Sequence, residues 1–272
     1  MDKNKPFSGL WAVILGGSSG FGFASAEKLA QNGMNIAVLY RETAITEKSL
    51  LTKFSNIASA NAITILPYNV NALNQAGRDT FIQQFTESAG GAEHKVKLLL
   101  HSIARGNLKP LVVEGETDAD FDLLSAEDIQ FTTYAMSNSL LDWTRALLKA
   151  GLFHPDARII GLTSEGAHKH WDGYAAVSIA KASLESLAKY MAVEFAPFGL
   201  KTNLIQAGIT ETSSLKMIPG SEKLLEIANT RNPMGRMTQP EDVAKVIYLL
   251  CTDDAFWVNG SLIHVDGGEH CR

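Results

Sequence analysis

Residues 11–22 read WAVILGGSSGFG, an apolar run that passes without a break into a glycine-rich turn. Residues 24–33, ASAEKLAQNG, follow with helical period and close at Gly33. A run rich in Val, Ile and Leu bounded by glycine predicts a strand buried on both faces, and the segment as a whole predicts strand, tight turn and helix. Gly16, Gly20 and Gly22 stand at G-x3-G-x-G spacing, with Ser18, Ser19 and Phe21 between them. Glycine at these places permits the turn and lets a bulky anion approach the backbone, while the helix N-terminus offers free N–H groups and a positive dipole end. A plain strand-to-helix turn is the alternative reading. The position of the motif at the first β–α junction favours a pyrophosphate cradle.

Outward from this segment the pattern repeats. Apolar runs at 35–40, 62–70, 96–104, 157–164, 200–208 and 261–268 alternate with longer stretches of helical period. This alternation predicts an α/β fold, a Rossmann-like doubly wound sheet of about seven parallel strands with helices on both faces. Residues 1–272 then form a single dinucleotide-binding domain, and ligands are expected outside the carboxyl ends of the strands. Two irregular excursions interrupt the pattern, at 106–120 and at about 210–236, the second punctuated by Pro219, Gly220 and Pro233. Long excursions at the carboxyl edge of such a sheet suit a substrate lid.

Composition narrows the function classes. The chain has 272 residues, 46% of them hydrophobic and 19% charged, with a net charge of −5 and no Lys/Arg run. Nucleic acid and anionic membrane surfaces are therefore not expected as partners. The N-terminus reads as an approach to the first strand, not as a signal peptide, and no apolar run reaches the roughly 18–20 residues of a membrane span. The two cysteines, Cys251 and Cys271, form no metal or disulfide spacing, which predicts free thiols, no metal site and a cytoplasmic protein.

After the second strand come Tyr40, Arg41 and Glu42. This is where a dinucleotide fold reads the ribose, with an acid for a free 2′-hydroxyl or an arginine for a 2′-phosphate. Arg41 makes NADPH the expected cofactor, with NADH the alternative that Glu42 supports; a solvated surface charge competes as a reading of Arg41. Further on, Tyr174 and Lys181 lie seven residues apart, which puts them on one helix face if both are helical. A lysine beside a tyrosine is expected to lower the phenol's pKa, and a phenol so tuned can donate to an oxygen that gains charge during hydride delivery.

In these motifs the chain resembles the short-chain dehydrogenases/reductases: the glycine turn, the serine region of the fifth strand, the Tyr/Lys helix, the ITET segment at 209–212 and the closing VDGG. Most of that family carries Tyr-x3-Lys. Here the residue four before Lys181 is Val177, and Tyr174-x6-Lys181 is similar to the enoyl-acyl-carrier-protein reductase branch, as are HSIA at 101–104, IAKASLESLAKYMA at 179–192 and SLIHVDGG at 261–268. The longer spacing suits conjugate reduction. Hydride goes to the β-carbon while charge collects on an oxygen further along, so the phenol must stand further from the nicotinamide.

The resemblance implies roles for individual residues. Lys181 would hold the nicotinamide ribose and Tyr174 the thioester oxygen. Ser102, Ile103 and Ala104 would border the cofactor, and Asn69-Val70 would read adenine where the family often has Asp-Val. Gly208, Ile209, Thr210 and Thr212 would contact the carboxamide and pyrophosphate, with Ile209 in place of the usual proline. Ser164 stands where well-known enoyl reductases have a second tyrosine; it either donates to the substrate carbonyl or satisfies the strand end. Leu15 replaces the threonine that commonly precedes the first glycine. His170 reads as a surface histidine, with Trp171 beside it near the mouth. The apolar positions Leu215, Met217, Ile218, Leu224, Leu225 and Ile227 would form a lid over an acyl chain, or pack as an ordinary helix. The implied function is NAD(P)H-dependent reduction of a trans-2-enoyl thioester on acyl carrier protein or coenzyme A, in fatty-acid synthesis, by a homotetramer. The alternatives are reduction of a carbonyl or a dienoyl-CoA, or a non-catalytic NADPH sensor.

Overall fold

The computed structural model describes residues 5–88, 95–113, 122–212, 215–218, 220–222, 228 and 230–272. Strand β1 (Leu10–Leu15) feeds through the glycine turn into α1 (Gly20–Gln31), as expected. β2 (Asn35–Tyr40), α2 (Ala44–Asn61), β3 (Ile65–Asn69), α3 (Gln75–Ser88) and β4 (Lys95–His101) continue the alternation. The second half holds α4 (Ala126–Thr133), α5 (Ser139–Lys149), β5 (Phe153–Ser164), α6 (Ala175–Glu194), β6 (Leu200–Ala207), α7 (Pro240–Cys251) and β7 (Leu262–Val265). All seven strands are parallel, in the order β3-β2-β1-β4-β5-β6-β7. The order reverses between β1 and β4, so a crevice opens at their carboxyl ends.

The strand periodicity explains both layers. In β1, Ala12 and Ile14 face one way into a core with Leu29 and Ala30 of α1 and Val243 and Ile247 of α7. Trp11, Val13 and Leu15 face the other way, onto Phe81 and Phe85 of α3, Trp143 of α5 and Leu184 of α6. Alternate residues serve opposite layers, and each large side chain so buried contributes roughly 1.5–3 kcal/mol before chain entropy is counted. No described helix is long and apolar enough to cross a membrane.

Three expected boundaries shift. The third strand begins at Ile65, not at residue 62, because α2 runs on to Asn61 and ends on a left-handed Ala62 (φ 53°). The fifth begins earlier, at Phe153, where it pairs with Val96 through an irregular register. The seventh stops at Val265, since Gly267 and Gly268 turn the chain with positive φ. Residues 106–113 of the first excursion carry no helix or strand; the rest, 114–120, lies outside the described residues.

Gly16 holds the first turn at φ +82°, and a Cβ there would stand 2.6 Å from the carbonyl oxygen of Ser102, on the strand across the switch point. Gly16→Ala should therefore lower the unfolding free energy by about 1–3 kcal/mol. A urea titration would show it as a drop in midpoint at unchanged slope, and an unchanged midpoint would contradict the constraint.

Candidate active site

A cleft of about 290 Å³ lies at the switch point. It is lined by Gly16, Ser18, Ser19, Gly20 and Phe21 from the turn, Arg41 after β2, Val70 after β3, Ser102, Ile103 and Ala104 after β4, and Thr212 after β6. Ser19 stands at the N-cap of α1 without capping it by its side chain, so the first N–H groups of the helix face the cleft without a side-chain partner. Gly22 lies behind, packed on the carbonyl of Gly16, where any Cβ would collide. A backbone cradle, a free helix N-terminus and a cation at the end of β2 fit a dinucleotide.

Among the expected cofactor contacts, Asn69, Gly208, Ile209 and Thr210 stand outside this lining. Asn69 uses its amide on the backbone of Glu42, accepting from its N–H at 3.2 Å and donating to its C=O at 3.0 Å. It braces the loop that carries Arg41 and stands outside the cleft lining. Gly208, Ile209 and Thr210 also lie outside that lining and pack on the C-terminal segment, where Ile209 N–H donates to Glu269 Oε1 at 3.4 Å. Arg105 enters the lining unforeseen, beside Asn71, Ala72 and Leu73, with its guanidinium 5.7 Å from the ring centre of Phe131. Its position directly after the HSIA strand end was the available signal.

Ser164, Tyr174 and Lys181 converge at the carboxyl end of β5. Ser164 ends that strand, and Tyr174 stands at the N-cap of α6 with its hydroxyl 3.3 Å from Ser164 Oγ. Lys181 lies in the second turn of α6, 6% exposed, and donates from Nζ to the carbonyl of Leu162 at 2.7 Å. Burial pushes this ammonium down to about 8, against the opposing pull of Glu185. Burial likewise raises the phenol of Tyr174, and the hydrogen bond to Ser164 draws it back in part. The expected lowering of the phenol by lysine is thus corrected. The ammonium is directed at the Leu162 carbonyl, and serine is the partner that favours the phenolate.

Val177 fills the register that tyrosine occupies in Tyr-x3-Lys, and it is a core residue packed with Ala135, Met136 and Ala180 against the Tyr174 ring. Gly166, missed by sequence reasoning, leaves room for that ring, since its Cβ would overlap Tyr174. A π-helical turn over Tyr134–Asn138 presses Ala135 and Met136 onto α6, with no signal in the residues themselves. Below it His101, fully buried, meets Ser139 Oγ at 2.8 Å; burial first, then the charge of Lys181, pushes it down to about 3.

Around the mouth, His170 is exposed and 3.9 Å from Asp172, a surface position, while Trp171 is partly buried. Of the expected lid, Leu215 is buried and Met217 exposed; Leu224, Leu225 and Ile227 lie outside the described residues. The returning limb is tied down by Arg231, which pairs bidentately with Glu165 (2.7 Å for Nη1 to Oε2) and donates from Nε to the carbonyl of Arg272 at 2.9 Å.

Comparison with known proteins agrees with this geometry. A family model described as Enoyl-(Acyl carrier protein) reductase matches residues 16–270. A tropinone reductase homolog of Arabidopsis thaliana is 28% identical over 98% of this chain and 96% of its own. The NADH-dependent enoyl-[acyl-carrier-protein] reductase of Aquifex aeolicus is 36% identical over 48% of each chain. The crystal structure of the Aquifex aeolicus enzyme superposes with a TM-score of 0.79 at 27% identity, covering 98% of both chains.

The buried ammonium has a consequence for stability. Below about pH 8 Lys181 is charged in both folded and unfolded chains, and folding bears its desolvation. Between about 8 and its ordinary 10.5 only the unfolded chain binds the proton, so stability from this group rises with pH. Relative to Lys181→Met, the wild type should gain about 3 kcal/mol across that window in parallel denaturation curves. A flat difference would show that the ammonium is not desolvated.

Proposed function

The chain belongs to the enoyl-(acyl carrier protein) reductase family of the short-chain dehydrogenases/reductases, and on that premise we propose that it reduces the carbon–carbon double bond of a trans-2-enoyl thioester with NADPH. It is an oxidoreductase of that superfamily; the bond, the cofactor and the residue roles are the finer reading. The observation that carries it is the pairing of Tyr174 with Lys181 at x6 spacing, with Val177 locked into the core at the other register.

Reduced nicotinamide supplies the hydride when bound. Gly16 to Gly22 would hold the pyrophosphate on backbone N–H groups, Arg41 would pair with the 2′-phosphate, and Lys181 would hold the nicotinamide ribose hydroxyls. Ser102, Ile103 and Ala104 would form the floor, and Thr212 of the cleft lining, with Gly208, Ile209 and Thr210 beyond it, would face the carboxamide side. Tyr174 donates its hydroxyl to the thioester oxygen as negative charge collects there, in a site where burial makes such a donor effective. Ser164 orients that hydroxyl. The resulting enolate takes its proton at the α-carbon from solvent water. The segment at about 210–236 covers the acyl chain, the carrier is acyl carrier protein or coenzyme A, and the assembly is a homotetramer.

Carbonyl reduction is the second reading, favoured by the contact of Ser164 with Tyr174 and by the full-length likeness to tropinone reductase homologs. Cofactor oxidation with crotonyl thioester against a matched β-ketoacyl thioester separates the two. Turnover of the ketone alone would overturn the proposal. In the same assay Tyr174→Phe should keep cofactor binding and lose turnover by about 10²–10⁴-fold.

Cofactor choice is tested separately. Arg41→Ala should raise KM for NADPH by about tenfold or more while leaving NADH nearly unchanged, since a charge-assisted pair to phosphate is lost only with the former. Equal effects on both would assign Arg41 to the surface.

A further inference from the structure

The C-terminal segment carries a second cluster of reactive groups, separate from Ser164, Tyr174 and Lys181. Asp266 is 4% exposed and is fixed by backbone N–H donors of Gly268 and His270, both at 3.0 Å. Burial pushes its carboxyl up, but the hydrogen bonds from the His270 ring and from these two N–H groups outweigh that and hold it below the usual carboxylate range. An ionised carboxylate only accepts, so Nδ1 of His270, 2.6 Å from Asp266 Oδ2, must be the donor. In the neutral ring the other nitrogen, Nε2, keeps its lone pair, and it faces Cys271 Sγ at 3.4 Å. The ring is held in place from its flat side by His264, stacked at 3.9 Å between centroids. A nucleophile within reach of a base, and the base oriented by a third group, is the arrangement that activates thiols.

Two further observations bear on a ligand. Cys271 is exposed, and beside His270 opens a cleft of about 450 Å³ that reaches Arg236 and Thr238. Cys251, by contrast, is enclosed, and burial pushes its thiol up to about 12. Of the two free thiols, one is accessible and the other enclosed.

We propose that Cys271 is a modification site for small disulfides. The sulfur of Cys271 gives up its proton to His270 Nε2 and attacks one sulfur of the disulfide. The disulfide's S–S bond breaks as the new S–S bond to Cys271 forms, and the departing thiolate takes the proton from His270. Cys271 is oxidised to the disulfide level and the departing half of the reagent is reduced to a thiol, so the disulfide is the only oxidant required. The attached group occupies the cleft beside His270.

The test uses the folded wild-type protein with 5,5′-dithiobis(2-nitrobenzoate) at neutral pH, followed by intact mass and peptide mapping after glutathione disulfide. One equivalent of thiolate should be released from the native chain, with the adduct on Cys271, and a second only after denaturation. The native rate should exceed that of a free peptide of residues 261–272 by about tenfold or more, since the peptide has the same side chains without the fixed geometry. His270→Gln should slow the native chain to the peptide's rate. A native rate equal to the peptide's, a rate indifferent to His270→Gln in a folded variant, or an adduct on Cys251 would each overturn the proposal. Should His270→Gln fail to fold, the peptide comparison alone decides.

Discussion

The structure depends on the closeness of two backbones at one point. Gly16, at the end of β1, runs against the carbonyl of Ser102 at the end of β4, and Gly22 in the first turn of α1 packs on the carbonyl of Gly16. No side chain fits at either contact. Because β1 and β4 are neighbours across the reversal of strand order, the same close approach that lets α1 lie on the sheet also leaves a crevice between the two strand ends. The helix N-terminus, left without a side-chain cap by Ser19, opens into that crevice. Fold and binding chemistry share one constraint, and a side chain added there would damage both.

What the sequence made legible follows from how local each signal is. Seven strands could be read because strands buried on both faces are continuous apolar runs, as Ala12 to Leu15 show by facing alternate cores. Ser164, Tyr174 and Lys181 were legible because a strand end and a helix start fall within eighteen residues of one another. Relations across long loops were not. Arg231 reaches Glu165 over 66 residues, and neither residue has a neighbour that announces the other. The brace that Asn69 provides to Glu42, over 27 residues, was not legible either, since an amide suits a loop brace and a cofactor contact alike. The π-helical turn at Tyr134–Asn138 is a product of packing on α6 and leaves no pattern of its own.

The charges near Tyr174 sharpen what the spacing alone suggested. A short Tyr/Lys register would put the ammonium next to the phenol. Here the ammonium turns to the Leu162 carbonyl, and the one hydrogen-bond partner favouring the phenolate is Ser164. The phenol consequently stays a proton donor across the physiological range, since burial opposes its ionisation. That state suits an oxygen that becomes an enolate and needs a strong hydrogen bond more than it needs a proton transferred to it. Ketone reduction makes the opposite demand, a proton delivered to the alkoxide in the same event as hydride transfer. Lys181, pushed by burial down to about 8, still carries its charge at neutral pH and can leave the Leu162 carbonyl for a ribose hydroxyl. In the proposed reaction the two tasks are separate, with the donor at Tyr174 and the cofactor clamp at Lys181.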